Sequence, residues 1–204
     1  MREVVNVPDG WEVKALKSMG SCKNGLTYSP DDIVEGEGLL VLRSSNIKDS
    51  QIVFDDNVYV REEIKVNYKV QENDILVCVR NGSKNLIGKN ALITKEAIGM
   101  AHGAFMTVFN SKINKYIFQL FQSDLFFNQV EKNLGATINS INNSDLILFE
   151  FPFPNEKIEL EKISKILNTQ DKKIEKEEEN LAKLKELKKG LMSDLLSGKV
   201  RVKL

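Results

Sequence analysis

From Asn155 onward the chain has no proline, and no glycine before Gly190. Over that stretch Leu160, Ile163, Leu167, Gln170, Ile174, Glu177, Leu181, Leu184, Lys188, Leu191 and Leu195 follow one another in alternating steps of three and four, and eight of these eleven positions are apolar. A seam of that period is the signature of a coiled-coil helix. Lysine and glutamate occupy the other faces, as on a solvated helix surface. A helix over 155–189 would be roughly 50 Å long. Its own turns cannot bury its seam, so it needs a second helix, from the globular part or from another copy of the chain. Gln170, Glu177 and Lys188 interrupt the apolar line. Either they set register and orientation, as buried polar groups in coiled coils do, or they mark the edges of a narrower seam. Antiparallel pairing that crosses near the middle brings Glu177 toward a lysine, whereas parallel in-register pairing faces like charges. The expected arrangement is therefore antiparallel.

The texture before Pro154 is different. Leu39–Arg43 is a run of strand formers; Gln51–Phe54 and Val58–Val60 flank a turn at 55–57; Asp74–Arg80 reads as a strand closed by the turn Asn81-Gly82. Leu86–Thr94, Ala104–Phe109 and Asp145–Phe151 read as further extended pieces, and 135–143 as a polar loop. Between them, Ile117, Leu120, Phe121, Leu125, Phe126 and Val130 carry helical spacing over 113–134, with a break at Ser123-Asp124. Short strands mixed with a few helices give an α+β fold class: a globular mixed α/β domain over 1–154, followed over 155–204 by a long α-helix that forms an antiparallel coiled coil and ends in a short C-terminal tail.

Net charge is zero, with 29 basic and 29 acidic groups, but it is unevenly divided. Residues 1–154 carry 16 basic and 19 acidic side chains, and residues 155–204 carry 13 and 10. Neither part is the strongly basic surface that phosphate neutralisation rewards, so DNA binding would rest on local patches or on a partner. No apolar run reaches the roughly 18 residues needed to span a bilayer, and the charged N-terminus lacks a signal-peptide core. Cys22 and Cys78 have no CxxC or Cys/His context; a single distant disulfide stays open, with a reducing, cytoplasmic setting the simpler expectation. The one histidine, His102, has no nucleophile context and reads as structural or surface. GSKNLIG (82–88) lacks the order of a phosphate loop.

Four segments resemble the DNA-specificity subunits of type I restriction–modification systems: LLVLRSSNI (39–47), NDILVCVRNGSKNLIGKNALIT (73–94), GATINSINNSDL (135–146) and LKELKKGLMSDLLSGKVRV (184–202). The first three resemble a target-recognition domain and the last the helical region that follows it; the resemblance runs from Trp11 to Val202. The chain departs from the family at FPFPNEKIELEKI, where Glu159-Leu160 stand in place of Glu-Gln at the helix start. It also carries one recognition domain and one long helix where family members usually carry two. It is a natural half-size subunit, or one half of a longer or rearranged gene.

The resemblance implies a non-catalytic subunit that binds double-stranded DNA and recruits methyltransferase and restriction–translocase subunits, with no cofactor or metal of its own. Pairing of two arms, through Leu160, Ile163, Leu167, Ile174, Leu181, Leu184, Leu191 and Leu195, would give a homodimer with a two-fold axis. Its target would then be bipartite and palindromic. Three groups of side chains have the donors and acceptors for DNA contact: Arg43, Ser44, Ser45 and Asn46 after a strand; Arg80, Asn81, Ser83, Lys84 and Lys89 in a basic turn; and Thr137, Asn139 and Ser140 in the polar loop. Each also has a plain structural reading, as an ion pair, a turn or a helix cap. The rival functions are a coiled-coil protein–protein interaction module, a fused DNA-modifying enzyme, which the missing methyl-donor motifs oppose, and a recombination cassette or remnant of a full-length subunit.

Overall fold

A computed structural model describes residues 7–61, 68–134 and 139–203. They divide into two compact units, one reaching to Glu161 and the other running from Lys162. In chain order the strands are β1 Trp11–Ala15, β2 Gly20–Asn24, β3 Ile33–Val34, β4 Leu39–Leu42, β5 Ile47–Lys48, β6 Gln51–Ile52, β7 Tyr59–Val60, β8 Ile75–Cys78, β9 Asn90–Leu92, β10 Ala101–His102, β11 Met106–Ser111 and β12 Glu150–Pro154. The helices are α1 Asn114–Phe121, α2 Asp124–Asn133, α3 Asn143–Leu146 and α4 Lys157–Leu196.

Two four-stranded sheets make up the first unit's centre, in orders β2-β11-β8-β9 and β10-β4-β7-β3; only the β10–β4 pairing is parallel. Strand side chains alternate between faces. From the first sheet, Leu76, Cys78, Ala91, Met106 and Val108 join Leu40 and Leu42 of β4 in one apolar cluster. On the alternate positions, Ile75, Val77 and Phe109 are also buried, and Phe109 meets Phe121 of α1 at 5.9 Å. Burial on both faces explains why β8 is apolar without alternation. Phe121 stacks on Phe126 at 4.4 Å; Phe151 and Phe153 bring β12 onto the same helices through Phe121 and Tyr116, and Phe149, just before the strand, meets Phe126. Each such ring buries a large apolar area and gains about 1 kcal/mol from ring geometry beyond that area.

β12 carries two prolines, yet it pairs only with β1, from Trp11 opposite Pro154 to Ala15 opposite Glu150. An edge strand has no further neighbour to ask for the missing N–H groups. Gln129 of α2 serves that edge: its Oε1 accepts from Glu150 N–H at 2.8 Å, and its Nε2 donates to the Glu150 carbonyl at 3.0 Å. Asn155 N–H donates to the Gly10 carbonyl, and Trp11 Nε1–H to Glu159 Oε1. The start of α4 is thereby tied to β1.

Several expectations need correction. Leu86–Thr94 is not one strand: Lys84–Leu86 forms a single 3-10 turn and Gly88 takes φ +85°, so β9 begins only at Asn90. Gly88 packs against Val130 and Phe126 of α2, where a Cβ would be tight. Asp145–Phe151 begins as helix α3 after the turn-forming Asn142, and becomes extended only from Glu150. The strand expected from Ala104 starts at Met106, because Met106 N–H donates to the Gly103 carbonyl and closes a turn. α4 continues past Lys189 and Gly190 to Leu196, a length of about 60 Å. A helical glycine costs only about 1 kcal/mol, and the helix stops where Gly198 takes φ +74°. The break at Ser123-Asp124 lies where the sequence has it.

Along α4 the seam residues Leu160 and Ile163 are half-buried, whereas Leu167, Ile174, Leu181, Leu184, Leu191 and Leu195 are exposed, Ile174 by 57% and Leu184 by 62%. No helix among the described residues is long and apolar enough to cross a membrane.

His102 is buried, with Nδ1 2.9 Å from the Tyr68 carbonyl and Nε2 3.2 Å from the Lys23 carbonyl. Burial holds its pKa below the usual 6.5, outweighing the two carbonyls. The unfolded chain thus binds this proton more readily than the folded one, so folding is favoured above pH 6.5 and that contribution is lost as pH falls through the folded value. Because His102 is the only histidine, urea unfolding between pH 7.5 and 5 should show a falling midpoint, and His102→Gln should flatten that fall.

Candidate nucleic-acid interface

The 43–46, 80–89 and 139–140 segments are far apart in sequence, and the fold brings them together. Arg43 follows β4 and precedes Ser44–Asn46, a single 3-10 turn leading into β5. Asn81 Nδ2–H donates to Ser44 Oγ at 3.1 Å, and Lys89 Nζ to the Ser44 carbonyl at 3.3 Å. Asn81 N–H donates to the Asn139 carbonyl, and Asn139 Nδ2–H returns a bond to the Gly82 carbonyl at 3.0 Å. Arg80 and Ser140 form an antiparallel bridge. Thr137 lies outside the described residues.

Within this junction the candidates separate into scaffold and surface. Asn46 is fully buried. Its Oδ1 accepts from Arg43 N–H at 3.0 Å, and its Nδ2 faces the Val53 and Asp56 carbonyls at 3.1 and 3.2 Å. An amide spent this way has no atom left for a base, so the expectation that Asn46 reads DNA gives way to a bracket holding two loops. Asn81 is similarly engaged, since its Oδ1 also accepts from Ser83 N–H in an Asx turn. The Arg43 guanidinium pairs with the Asp56 carboxylate at 2.9 Å, and its Nε is buried without a partner. The ion-pair reading of Arg43 therefore describes its contact. Lys89 is half-buried against Ser44, while Ser45, Arg80, Ser83 and Lys84 are exposed. Two exposed cations make a modest attraction for phosphate.

The turn 103–106 between β10 and β11 belongs to the same face and was not indicated by sequence. Its tip residue, Phe105, is 56% exposed and has the Arg80 guanidinium 5.9 Å from its ring centre. Val79 and Arg80 N–H both donate to the Phe105 carbonyl, at 3.0 and 3.1 Å. A cleft of about 510 Å³ opens beside it, walled by Leu26, Tyr28, Arg43, Ser44, Ser45, Asp56 and Phe105. Beneath, Gly25 passes so close to Gly103 that a Cβ would collide with its carbonyl, which fixes one wall. The only sequence signal for Phe105 was an aromatic residue following Gly103-Ala104, and neither spacing nor charge distinguishes it from a core residue.

Nucleophile chemistry finds no support nearby. Burial pushes the Cys22 thiol up to about 12 and raises that of Cys78, so both stay protonated at neutral pH. Both cysteines are free, and no cluster of metal-ligating side chains occurs among the described residues.

The division into scaffold and surface is measurable. Asn46→Ala should cost about 2 kcal/mol or more in urea unfolding, because it strands buried backbone groups. Ser45→Ala, at an exposed position, should stay within about 0.5 kcal/mol of the parent.

Residues 8–186 match the family described as the type I restriction modification DNA specificity domain. The EcoKI specificity subunit of Escherichia coli K12 is 24% identical over 208 residues, covering 97% of this chain and 45% of the relative. The StySPI specificity subunit of Salmonella potsdam is 24% identical over 203 residues, covering 94% of this chain and 44% of the relative. This chain therefore spans about half the length of the curated relatives it matches. In fold it is similar to the S subunit of a type I restriction-modification system from M. genitalium (TM-score 0.58, 20% identity, covering 95% of this chain and 46% of that one). It is also similar to the HsdS subunit from Thermoanaerobacter tengcongensis (TM-score 0.62, 15% identity, covering 95% and 46%). A match over nearly the whole chain, added to the four sequence segments and the shared mixed α/β fold with its long C-terminal helix, shows that the chain belongs to the type I restriction modification DNA specificity family.

Proposed function

We propose that this chain is a non-catalytic DNA-specificity subunit of a type I restriction–modification system, with residues 1–154 as the target-recognition domain and 155–204 as a spacer and docking arm. The observation that carries the reading is the junction of three distant polar segments, with Ser45, Arg80, Ser83 and Lys84 exposed on a rigid base. Base recognition needs donors and acceptors held in fixed register. Scaffold amides supply the rigidity, and exposed side chains supply the chemistry.

The same reading makes the chain a half-size subunit that works as a homodimer. The exposed apolar seam of α4 supports this, because leucine and isoleucine at heptad spacing are stable only against another helix. Antiparallel pairing of two arms gives a self-complementary contact and two recognition domains related by a two-fold axis. The target is then a palindrome split by unspecified bases. Methyltransferase subunits dock on this platform and restriction–translocase subunits add to it. With only Arg80 and Lys84 as exposed cations among the junction's described residues, the recognition dimer alone binds weakly, and the methyltransferase completes a basic channel around the duplex.

Methylome sequencing of a host with and without the chain should reveal one symmetrical split motif lost in the deletion strain; an asymmetric motif, or none, contradicts the homodimer reading. Ile174→Asp combined with Leu181→Asp should convert a dimer to a monomer in light scattering at micromolar concentration, leaving the first unit folded. Gel shifts should show at least tenfold tighter DNA binding once the methyltransferase subunit is added.

A further inference from the structure

Resting on the DNA-recognition reading, we propose that Arg80 reads a guanine in the major groove and that Phe105 is the positioning residue that aims it. The two arginines of the candidate face are in opposite situations. Arg43 is paired with Asp56, and its Nε is buried. Arg80 is exposed, and among the described residues the ion pairs do not include it. Its partner is the Phe105 ring, 5.9 Å from the guanidinium carbon.

A guanidinium over an aromatic ring is attracted by the ring quadrupole, and the contact leaves the N–H edge free to point outward. That edge is a fork of donors matched to the N7 and O6 acceptors of guanine. The fork gains discrimination only if its base is fixed, and here the backbone is held from both sides. The Arg80 and Val79 N–H groups share the Phe105 carbonyl, Arg80 bridges to Ser140, and Asn81 N–H donates to the Asn139 carbonyl. The turn closed by Met106 N–H on the Gly103 carbonyl carries Phe105 to the tip, where 56% of it faces solvent. A phenylalanine so exposed is costly in a free monomer. Holding Arg80 in line accounts for it.

The neighbouring charges favour a base over a phosphate. In the adjacent cleft Arg43 and Asp56 neutralise one another and leave no unpaired cation among the lining residues to hold the sugar–phosphate chain, whereas Lys84 stands exposed as a point charge suited to it.

The test is selection from a randomised duplex library by the assembled complex containing the full chain, with salt dependence measured for each variant. The parent should return a consensus with guanine at a fixed place in each half. Arg80→Ala and Arg80→Lys should each relax that one position about tenfold or more, keeping the remaining consensus and the salt slope. Phe105→Ala and Phe105→Leu should relax the same position partway, and Phe105→Tyr should restore it, because only an aromatic face replaces the stack. Urea midpoints close to the parent's would establish that the variants fold. A uniform loss of affinity with a shallower salt slope for Arg80→Ala would make it a phosphate contact and overturn the proposal. So would an unchanged guanine preference in Arg80→Ala, and an unchanged preference in Phe105→Ala would remove the positioning role. A parent complex that returns no consensus overturns the recognition reading itself; a sharp consensus untouched by Arg80→Ala overturns this inference alone.

Discussion

Irregular loops expose backbone donors and acceptors that must be paired somewhere, or the loop is not held in one conformation. In this chain three asparagine side chains do that pairing. Asn46 joins the 43–46 turn to the segment at Val53 and Asp56, Asn81 joins the second segment to Ser44, and Asn139 joins the third to Gly82. Remove these amides and three sections of chain drawn from distant parts of the sequence would keep only the Lys89 bond to Ser44 and the backbone links of Arg80 and Asn81 to Ser140 and Asn139. The β-sheets set the ends of the loops, the amides and the backbone links together set their relative positions, and under the DNA-recognition reading relative position is what discrimination between sequences requires.

The same amides show why the sequence was legible only in part. A heptad over forty residues leaves one reading, and α4 is where the spacing puts it. β4 and β8 were legible because burial makes their residues apolar, whereas β1 and β2 (WEVKA and GSCKN) carry mixed, half-exposed side chains. They are strands because β12 and β11 offer them partners, and such distant pairing leaves no local pattern. Asn46 and Ser45 illustrate the limit at the site. They are neighbours of similar polarity, both plausible DNA contacts by composition, yet one is wholly interior and the other faces water. Only the path of the chain distinguishes them. Phe105 is the converse case, an aromatic residue that composition assigns to a core and a tight turn turns outward.

The arm poses a different physical problem. Its Lys and Glu residues present a charged face to water while its apolar line beyond Ile163 is without cover on α4 itself. The first unit has its own two-sided core and an aromatic cluster tying α1 and α2 to β12, so its folding does not wait on the seam. Under the homodimer reading, association is therefore a separate equilibrium added to a domain already folded, and stability of the arm follows protomer concentration while that of the domain does not.

The separation of buried amide brackets from projecting tips has an evolutionary corollary. Selection on Asn46 acts through folding, whereas Ser45, Arg80, Lys84 and Phe105 are nearly free of that constraint. Under the DNA-recognition reading, a lineage can therefore drift toward new targets by single codon changes at the tips while inheriting the frame intact, and diversity of preference accumulates without a toll on foldability.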